Sequence, residues 1–147
     1  MNPLIVHRWL YEVTGGRVGR RLPGGARCAL LQTTGRKSGR ARTVPLVYAR
    51  DGADYVLVAS NNGSDRPPGW LFNAEASPEV QLQDGPLRIL GTARVVPPGD
   101  PGYPRLWRLV NETNHGRYDG YQARTSRKIP VVVITPGPPP ATGPAPG

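Results

Sequence analysis

Apolar and polar residues alternate with a helical period near the start of the chain and with a strand-like period in its middle. Residues 3–13, PLIVHRWLYEV, place Ile5, Trp9 and Val13 four positions apart. This spacing puts the three side chains on one face and predicts a short amphipathic helix. The glycine-rich stretch that follows, 15–25, has no apolar period and predicts a loop.

Six segments rich in valine, leucine, isoleucine and tyrosine predict β-strands. They are CALLQTT at 28–34, TVPLVYAR at 43–50, DYVLVAS at 54–60, EVQLQ at 79–83, LRILGTARVV at 87–96 and VVVIT at 131–135. The turn sequences DGA at 51–53 and DGP at 84–86 join two pairs of these segments. Strands joined by such short turns pair as antiparallel hairpins.

Two further segments, 67–76 and 103–113, have a helical pattern. We therefore expect an α+β fold that is mainly β, a six-stranded antiparallel barrel with helices packed outside it. The chain divides into an N-terminal helix and basic loop at 1–27, a barrel domain at 28–135 and a tail at 136–147. The tail is rich in proline and glycine and has too few apolar residues to form a core, so it is predicted to be disordered.

Positive charge is concentrated in one part of the chain. The net charge is +9, and 17 of the 19 basic residues are arginine. Eight basic residues and no acidic one lie between Arg17 and Arg42. Such a segment attracts an anion, which leaves nucleic acid, a phosphorylated cofactor and an anionic membrane surface as candidates. Nucleic acid is disfavoured because residues 17–42 contain no tyrosine or tryptophan on which bases could stack.

Residues with intrinsic catalytic chemistry are few. Cys28 is the single cysteine and lies in an apolar run, so it predicts a buried thiol and no internal disulfide. His7 and His115 lie far apart, and no residues have metal-ligand spacing, so no metal site is predicted. An enzyme with this sequence would depend on a bound cofactor for its chemistry. The sequence has neither a charged segment before its short apolar start nor an apolar run long enough for a bilayer, which favours a cytoplasmic protein.

The segment TGRKSGRAR at 34–42 follows a predicted strand and fits an anion-binding loop. Arg36, Lys37 and Arg42 supply charge-assisted hydrogen bonds, and Ser38 supplies a hydroxyl group. Glycines within the segment let backbone amides approach a ligand closely. The same spacing fits a solvated hairpin turn with surface arginines equally well.

Two later segments carry polar and aromatic side chains. Ser60, Asn61 and Asn62 end a predicted strand and precede Trp70. They fit either an ordinary loop with a core tryptophan or a polar edge and an aromatic wall for a planar ring. Farther along, Tyr118 lies three residues before a second tyrosine, so both face the same way on a helix. That pair fits either packing against the barrel or two phenols that hydrogen-bond a substrate oxygen.

Three segments carry a family pattern in order and spacing. They are TTGRKSGRARTVPLVY at 33–48, ASNNGSDRPPGWLFNAEASPEVQLQ at 59–83 and YDGYQARTSRKIPVVVI at 118–134. They resemble the deazaflavin-dependent nitroreductase family of actinobacteria in the pattern T-G-R-K-[ST]-G-x-x-R, in the loop before P-x-W-x-x-N, and in the tyrosine-rich segment that ends in R-x-I-P. The resemblance covers about residues 28–135, nearly the whole predicted domain.

The resemblance implies a split β-barrel of the type that binds FMN or F420. It also implies an F420H2-dependent oxidoreductase that transfers a hydride to an electron-poor acceptor such as a quinone, a nitro compound or an enone. F420 is a deazaflavin that carries a phosphate and an oligoglutamate tail, so it is an extended polyanion. The basic segment of this chain suits that charge.

The same resemblance implies roles for individual residues. Arg36, Lys37, Ser38 and Arg42 match the phosphate and tail site. Further positions match the cofactor-binding residues of the family. Val44, Pro45 and Leu46 match the strand that lies along the deazaflavin ring, and Ser60, Asn61, Asn62 and Gly63 match the loop at the other side of the cofactor. Trp70 and Asn73 match the helix of the motif. Tyr118 and Tyr121 match catalytic tyrosines on the substrate side. His115 and Arg124 stand where some relatives carry aromatics, which implies a more polar acceptor pocket.

Two alternatives of other classes remain open. One is a non-catalytic carrier that binds F420 or FMN, and the other is a nucleic-acid binder. The expected partner is a small-molecule electron acceptor rather than a nucleic acid. A homodimer and peripheral contact with the inner membrane face through the N-terminal helix are further predictions.

Overall fold

The computed structural model of the protein describes residues 27–137. The predicted helix at 3–13, the basic loop before Arg27 and all but the start of the tail lie outside these residues. The strands are β1 Cys28–Thr34, β2 Ala41–Val47, β3 Ala49–Asp51, β4 Asp54–Val58, β5 Glu79–Asp84, β6 Leu87–Val96 and β7 Val131–Pro136. The helices are α1 Gly69–Ala76, α2 Tyr103–Thr113 and α3 Arg117–Ala123.

All strand pairs in the described residues are antiparallel, and together they form one sheet in the order β2-β1-β5-β6-β7-β4-β3. The two edge strands, β2 and β3, are consecutive in the chain and are separated by Tyr48 alone. The sheet therefore curls until its first and last strands meet at that residue. This confirms the predicted antiparallel barrel and the predicted hairpins at 51–53 and 84–86.

The sheet has seven strands rather than the six predicted. The segment 43–50, predicted as one strand, divides at Tyr48, whose N–H donates to the carbonyl of Arg27 at 3.2 Å. Residues before Tyr48 pair with β1, and residues after it pair with β4. Periodicity could not show this division, because apolar residues continue across it.

Two hydrophobic clusters lie on opposite faces of the sheet. Leu31, Leu57 and Leu82 belong to the cluster inside the barrel, and all three are fully buried. The cluster on the outer face forms beneath α2 and α3 and includes Val56 and Val110. Strands β4 and β7 contribute alternate residues to both clusters, which explains their continuous apolar sequence.

Helix α1 packs into the barrel cluster through buried Trp70, Leu71 and Ala74. It begins at Gly69, two residues later than predicted, because the extended Pro68 precedes its first turn. Helices α2 and α3 cover the outer face. Asp119 of α3 joins the two helices. Its carboxylate accepts hydrogen bonds from the indole N–H of Trp107 at 2.8 Å and from the side-chain amide of Asn111 at 2.9 Å, both on α2. No helix within 27–137 has the length and hydropathy needed to cross a bilayer.

Candidate functional site

A groove runs along the side of the barrel where β2 faces the loop between β4 and α1. It consists of two cavities of about 610 and 330 Å³. Val44, Asn61, Pro68 and Trp70 line both cavities, so the two lie side by side and share a wall. We call the larger one the cationic cavity and the smaller one the tyrosine cavity, after the side chains described below.

Basic residues from separate parts of the chain meet at the cationic cavity. Its lining residues are Gly35, Arg36, Lys37, Ser38, Arg42, Thr43, Val44, Asn61, Arg66, Pro67, Pro68, Gly69, Trp70 and Asn73. Four of these side chains are cationic and none is acidic. Their fork and ammonium donors suit phosphate and carboxylate oxygens.

The β1–β2 hairpin carries three of these cations, Arg36 and Lys37 in its loop and Arg42 in β2. Its turn closes through the N–H of Gly35, which donates to the carbonyl of Arg40 at 2.7 Å, while Gly39 has a φ of +72°. A Cβ atom on Gly35 would lie 2.8 Å from the hydroxyl of Ser38, so the tight turn requires glycine there. The segment is thus a hairpin turn that also lines a cavity, and the two interpretations of its sequence are compatible.

Asn73 binds this hairpin to helix α1. Its side-chain oxygen accepts from the backbone N–H of Arg36 at 3.1 Å and from the Arg36 guanidinium at 3.3 Å. Its amide nitrogen donates to the hydroxyl of Thr33 at 3.2 Å. The guanidinium also lies over the ring of Phe72, 5.0 Å from the centroid. The side chain of Asn73 therefore orients the loop, and most of its hydrogen-bonding capacity serves that purpose.

The loop at 59–66, from Ala59 to Arg66, forms the opposite wall of the groove. Asn61 and Asn62 have φ values of 44° and 55°, and Gly63 follows at 80°, so three successive residues are left-handed. Asparagine tolerates this region better than other residues with a Cβ. Gly63 lines neither cavity. A Cβ there would lie 2.7 Å from the carbonyl oxygen of Tyr121, so Gly63 permits close packing of α3.

Trp70 separates the interior of the barrel from the groove. Only 8% of the residue is exposed, and it packs in the barrel cluster while lining both cavities. Trp70 is thus a core residue that also forms part of the groove wall, and its contact with a planar ring stays a prediction.

The tyrosine cavity is mostly apolar on the β2 side. Val44, Pro45 and Leu46 line it together with Cys28. Pro45 has no N–H to donate, and proline is accepted in sheets at edge strands such as β2. Cys28 is 1% exposed, and burial raises the pKa of its thiol to about 12, so the predicted buried thiol is confirmed.

Tyr118 and Tyr121 lie on the opposite wall of this cavity, as their spacing predicts for a helix. Their rings meet edge to face with centroids 6.0 Å apart. Tyr118 is 4% exposed, and burial raises the pKa of its phenol, with hydrogen bonding to Asn114 acting in the opposite direction. Its hydroxyl group therefore stays protonated at neutral pH and can serve as a donor.

The polar groups of the tyrosine cavity differ in part from those that the sequence indicated. His115 and Arg124 do not line it, whereas Asn114 and Arg117 do. The Arg117 guanidinium donates to the side-chain oxygen of Asn114 at 3.4 Å. Polarity at this cavity thus comes from these two residues, which flank the link between α2 and α3, and from Ser60, Asn61 and Asn62 on the loop at 59–66.

Sequence reasoning missed the groove residues Thr43, Arg66, Asn114 and Arg117, and it missed Arg127, which lines neither cavity but supports the wall of the groove. The Arg127 guanidinium donates to the carbonyls of Ala59, Ser60 and Ser64 at 3.1, 2.9 and 2.8 Å. Burial lowers the pKa of Arg127. Its place in the R-x-I-P pattern was a signal, but its partners lie more than sixty residues away along the chain. Across residues 27–137, no group of three His, Cys, Asp or Glu side chains could bind a metal ion.

Comparison with known proteins identifies the family of this chain. A family model described as F420H(2)-dependent quinone reductase matches residues 4–136. The chain is 52% identical over 132 residues to an F420H(2)-dependent quinone reductase of Mycobacterium tuberculosis, across 90% of this chain and 89% of that protein.

Two solved structures are also similar. An F420-H2-dependent reductase designated FDR-A superposes with a TM-score of 0.66 at 37% identity, over 73% of this chain and 92% of that one. A second structure, described as a domain-swapped dimer, gives a TM-score of 0.70 at 34% identity, over 88% and 93% of the two chains. The FDR-A structure confirms the split-barrel fold. The chain belongs to the F420H(2)-dependent quinone reductase family.

Proposed function

We propose that this protein transfers a hydride from reduced F420 to a quinone bound in the tyrosine cavity. As a member of its family it is an oxidoreductase that uses F420. The observation that carries the proposal is that the two cavities lie side by side along one groove, because one end suits a polyanion and the other a neutral, planar acceptor. A ligand that spans both would place its ring beside the wall that they share.

The donor set of the cationic cavity fits the anionic part of F420. Lys37 and Arg42 reach it from the β1–β2 hairpin, Arg66 reaches it from the loop before α1, and Arg36 is fixed by Asn73. The first turn of α1 lines the same cavity, and a helix N-terminus favours anions. These groups would bind the phosphate and glutamate carboxylates, and Ser38 adds a hydroxyl.

The shared wall fits a planar ring. Val44, Pro45 and Leu46 would lie along one side of the ring, while Ser60 and the asparagines of the left-handed turn would face its polar edge. Trp70 would close the end of the ring pocket. Gly63 and Asn73 would act indirectly, since they shape the loops that contact the cofactor.

Bound F420H2 supplies the reducing hydride, so the protein needs no nucleophile of its own. Tyr118 and Tyr121 would donate hydrogen bonds to the quinone oxygen on which negative charge develops. A donor placed in advance at such an oxygen commonly contributes about 3–4 kcal/mol to transition-state stabilisation. Burial of Tyr118 keeps its proton on the phenol and excludes water from that side of the cavity.

The broader setting is also proposed. A homodimer is supported by the similar structure described as a domain-swapped dimer. Peripheral membrane contact and a cytoplasmic location stay predictions, since the predicted helix at 3–13 lies outside the described residues.

The decisive experiment mixes the purified protein with reduced F420 and menadione and follows the reappearance of oxidised F420 by absorbance. We expect turnover only with protein present, and no turnover with reduced FMN in place of F420. Tight F420 binding without turnover on any quinone would instead identify a carrier. F420 binding that nucleic acid abolishes by direct competition, without turnover, would favour the nucleic-acid alternative.

A further inference from the structure

The loop at 59–66 contributes to both cavities, and a single side chain binds it at both ends. The Arg127 guanidinium donates to the carbonyls of Ala59 and Ser60 where the loop begins, and to that of Ser64 near its end. Between these bonds lies Asn61, which lines both cavities. All three of these side-chain bonds of Arg127 go to backbone carbonyls, so they hold the backbone of the loop rather than its side chains.

The loop needs such support because of its conformation. Asn61 and Asn62 are left-handed, a conformation in which the Cβ of an L-residue crowds its own backbone. The turn has local bonds, from Gly63 N–H to the Ser60 carbonyl at 2.9 Å, from Ser64 N–H to the Asn61 carbonyl at 3.0 Å and from the Asn61 side-chain amide to the Arg66 carbonyl at 2.9 Å, but these bonds lie within the loop and do not fix it to the rest of the fold. Unusual backbone conformations persist where surrounding contacts over-determine them. Arg127 supplies three such contacts.

Arg127 is also hydrogen-bonded to helix α3, which carries Tyr118 and Tyr121. Its carbonyl accepts from the side-chain amide of Gln122 at 2.7 Å, and Gln122 lies on α3 beside Tyr121. The side-chain oxygen of Gln122 accepts from the N–H of Ile129 at 3.0 Å, which fixes the segment on the other side. The hydroxyl of Thr125 donates to Asp65 of the loop at 2.7 Å. One connected set of bonds thus runs from the loop through Arg127 to α3.

We propose that Arg127 is a positioning residue that fixes the spacing between the loop at 59–66 and the tyrosines of α3. The proposal rests on the proposed function, in which the loop faces the cofactor and the tyrosines face the acceptor. Arg127 touches neither cavity, so its effect on the reaction is transmitted through the loop. Lysine cannot replace it fully, because an ammonium group lacks the planar fork that spans separate carbonyls.

The test compares Arg127→Ala and Arg127→Lys with Lys128→Ala, a control that removes an exposed positive charge one residue away. Hydrogen exchange of the peptide covering 59–66 is measured without cofactor. We expect exchange about tenfold faster or more in Arg127→Ala, since local opening governs protection. The control should exchange at the wild-type rate, and Arg127→Lys should lie between them.

Kinetics with F420H2 and menadione separate positioning from general loss of structure. We expect kcat to fall about tenfold to a hundredfold in Arg127→Ala, since misplacement by an ångström can have that effect. The Kd for F420 should change by less than about threefold, because three of the four cations of the cationic cavity belong to the β1–β2 hairpin and not to the loop at 59–66. Adding about 50 mM guanidinium, far below unfolding concentrations, should restore part of kcat in Arg127→Ala alone.

Wild-type exchange of the loop in Arg127→Ala, or an unchanged kcat, would overturn the proposal. So would a parallel loss of kcat, F420 affinity and melting temperature without guanidinium rescue. If Arg127→Ala does not fold, Arg127→Lys supplies the same comparisons. If the wild-type protein does not reduce menadione, the proposed function fails, while loop exchange and F420 affinity still decide whether Arg127 fixes the loop.

Discussion

The side-chain oxygen of Asn73 accepts a hydrogen bond from the backbone N–H of Arg36 at 3.1 Å, across 37 residues of sequence. This bond joins the first turns of α1 to the hairpin that carries the basic residues of the groove. It places the cationic cavity between two elements that the chain forms separately. We therefore expect Asn73, which also lines the cationic cavity, to influence F420 affinity through the position of this hairpin.

Asn73→Ala should therefore weaken F420 binding and destabilise the fold together. The change leaves the Thr33 hydroxyl and the Arg36 N–H without their partner, which costs about 1–3 kcal/mol for buried groups. Denaturant unfolding and fluorescence titration with F420 would measure the two effects. Glu75→Ala, an exposed position on the same helix, is the control and should match the wild type.

Lys37→Ala combined with Arg42→Ala should reduce F420 affinity about tenfold or more, because charge-assisted hydrogen bonds to the anion are lost. The unphosphorylated deazaflavin, which lacks the phosphate and tail, should bind the variant and the wild type equally. Arg108→Ala combined with Lys128→Ala, two exposed positions outside both cavities, controls for the loss of two positive charges. Equal losses for both ligands would place the anionic site elsewhere.

Tyr118→Phe and Tyr121→Phe should lower kcat with menadione while leaving F420 affinity near the wild-type value. Loss of one donor at a developing oxyanion commonly costs a factor of about 100 or more, so a tenfold decrease is the minimum expected. Stopped-flow oxidation of the F420H2-loaded protein would isolate this step. An unchanged rate in both variants would assign the tyrosines to packing alone.

The phenol of Tyr118 should lose its proton only at high pH. Burial raises its pKa above the ordinary value near 10, so the protonated donor persists to higher pH than in a free tyrosine. Ultraviolet difference titration of wild type and Tyr118→Phe should show no Tyr118 ionisation below about pH 10. An ionisation near neutrality that disappears in the variant would contradict this.

Asp51→Asn should lower the melting temperature slightly at pH 7 and leave it unchanged in strong acid. A bidentate pair with Arg105, at 2.8 and 3.0 Å, lowers the pKa of Asp51 and joins α2 to the β3–β4 turn. Because the folded pKa is depressed, the stabilisation is present above the unfolded value near 3.9 and is lost as pH falls through the folded value. Melting curves from pH 7 to about pH 2 would show the two proteins converging.

The sequence predicted correctly those elements whose periodicity or turn residues lie within a few neighbouring positions. Strand β1 and helix α2 have the predicted bounds, because their apolar periods are complete within the element. The hairpin at 51–53 follows from its turn residues. The division at Tyr48 was missed, since what separates β2 from β3 is the partner strand of each, and pairing partners are distant in sequence.

The sequence by itself determined most of the strands, helices α1 and α2, the excess of positive charge in the hairpin and the spacing of Tyr118 and Tyr121, because each of these is a property of neighbouring residues. Only the tertiary structure decided that Arg66 joins the hairpin cations, that Asn73 turns toward Thr33, and that Arg127 spans the loop at 59–66. Those contacts depend on the closure of the barrel, which fixes the distances between segments far apart in the chain. Closure is a property of strand register and core packing together, and no short stretch of residues contains it.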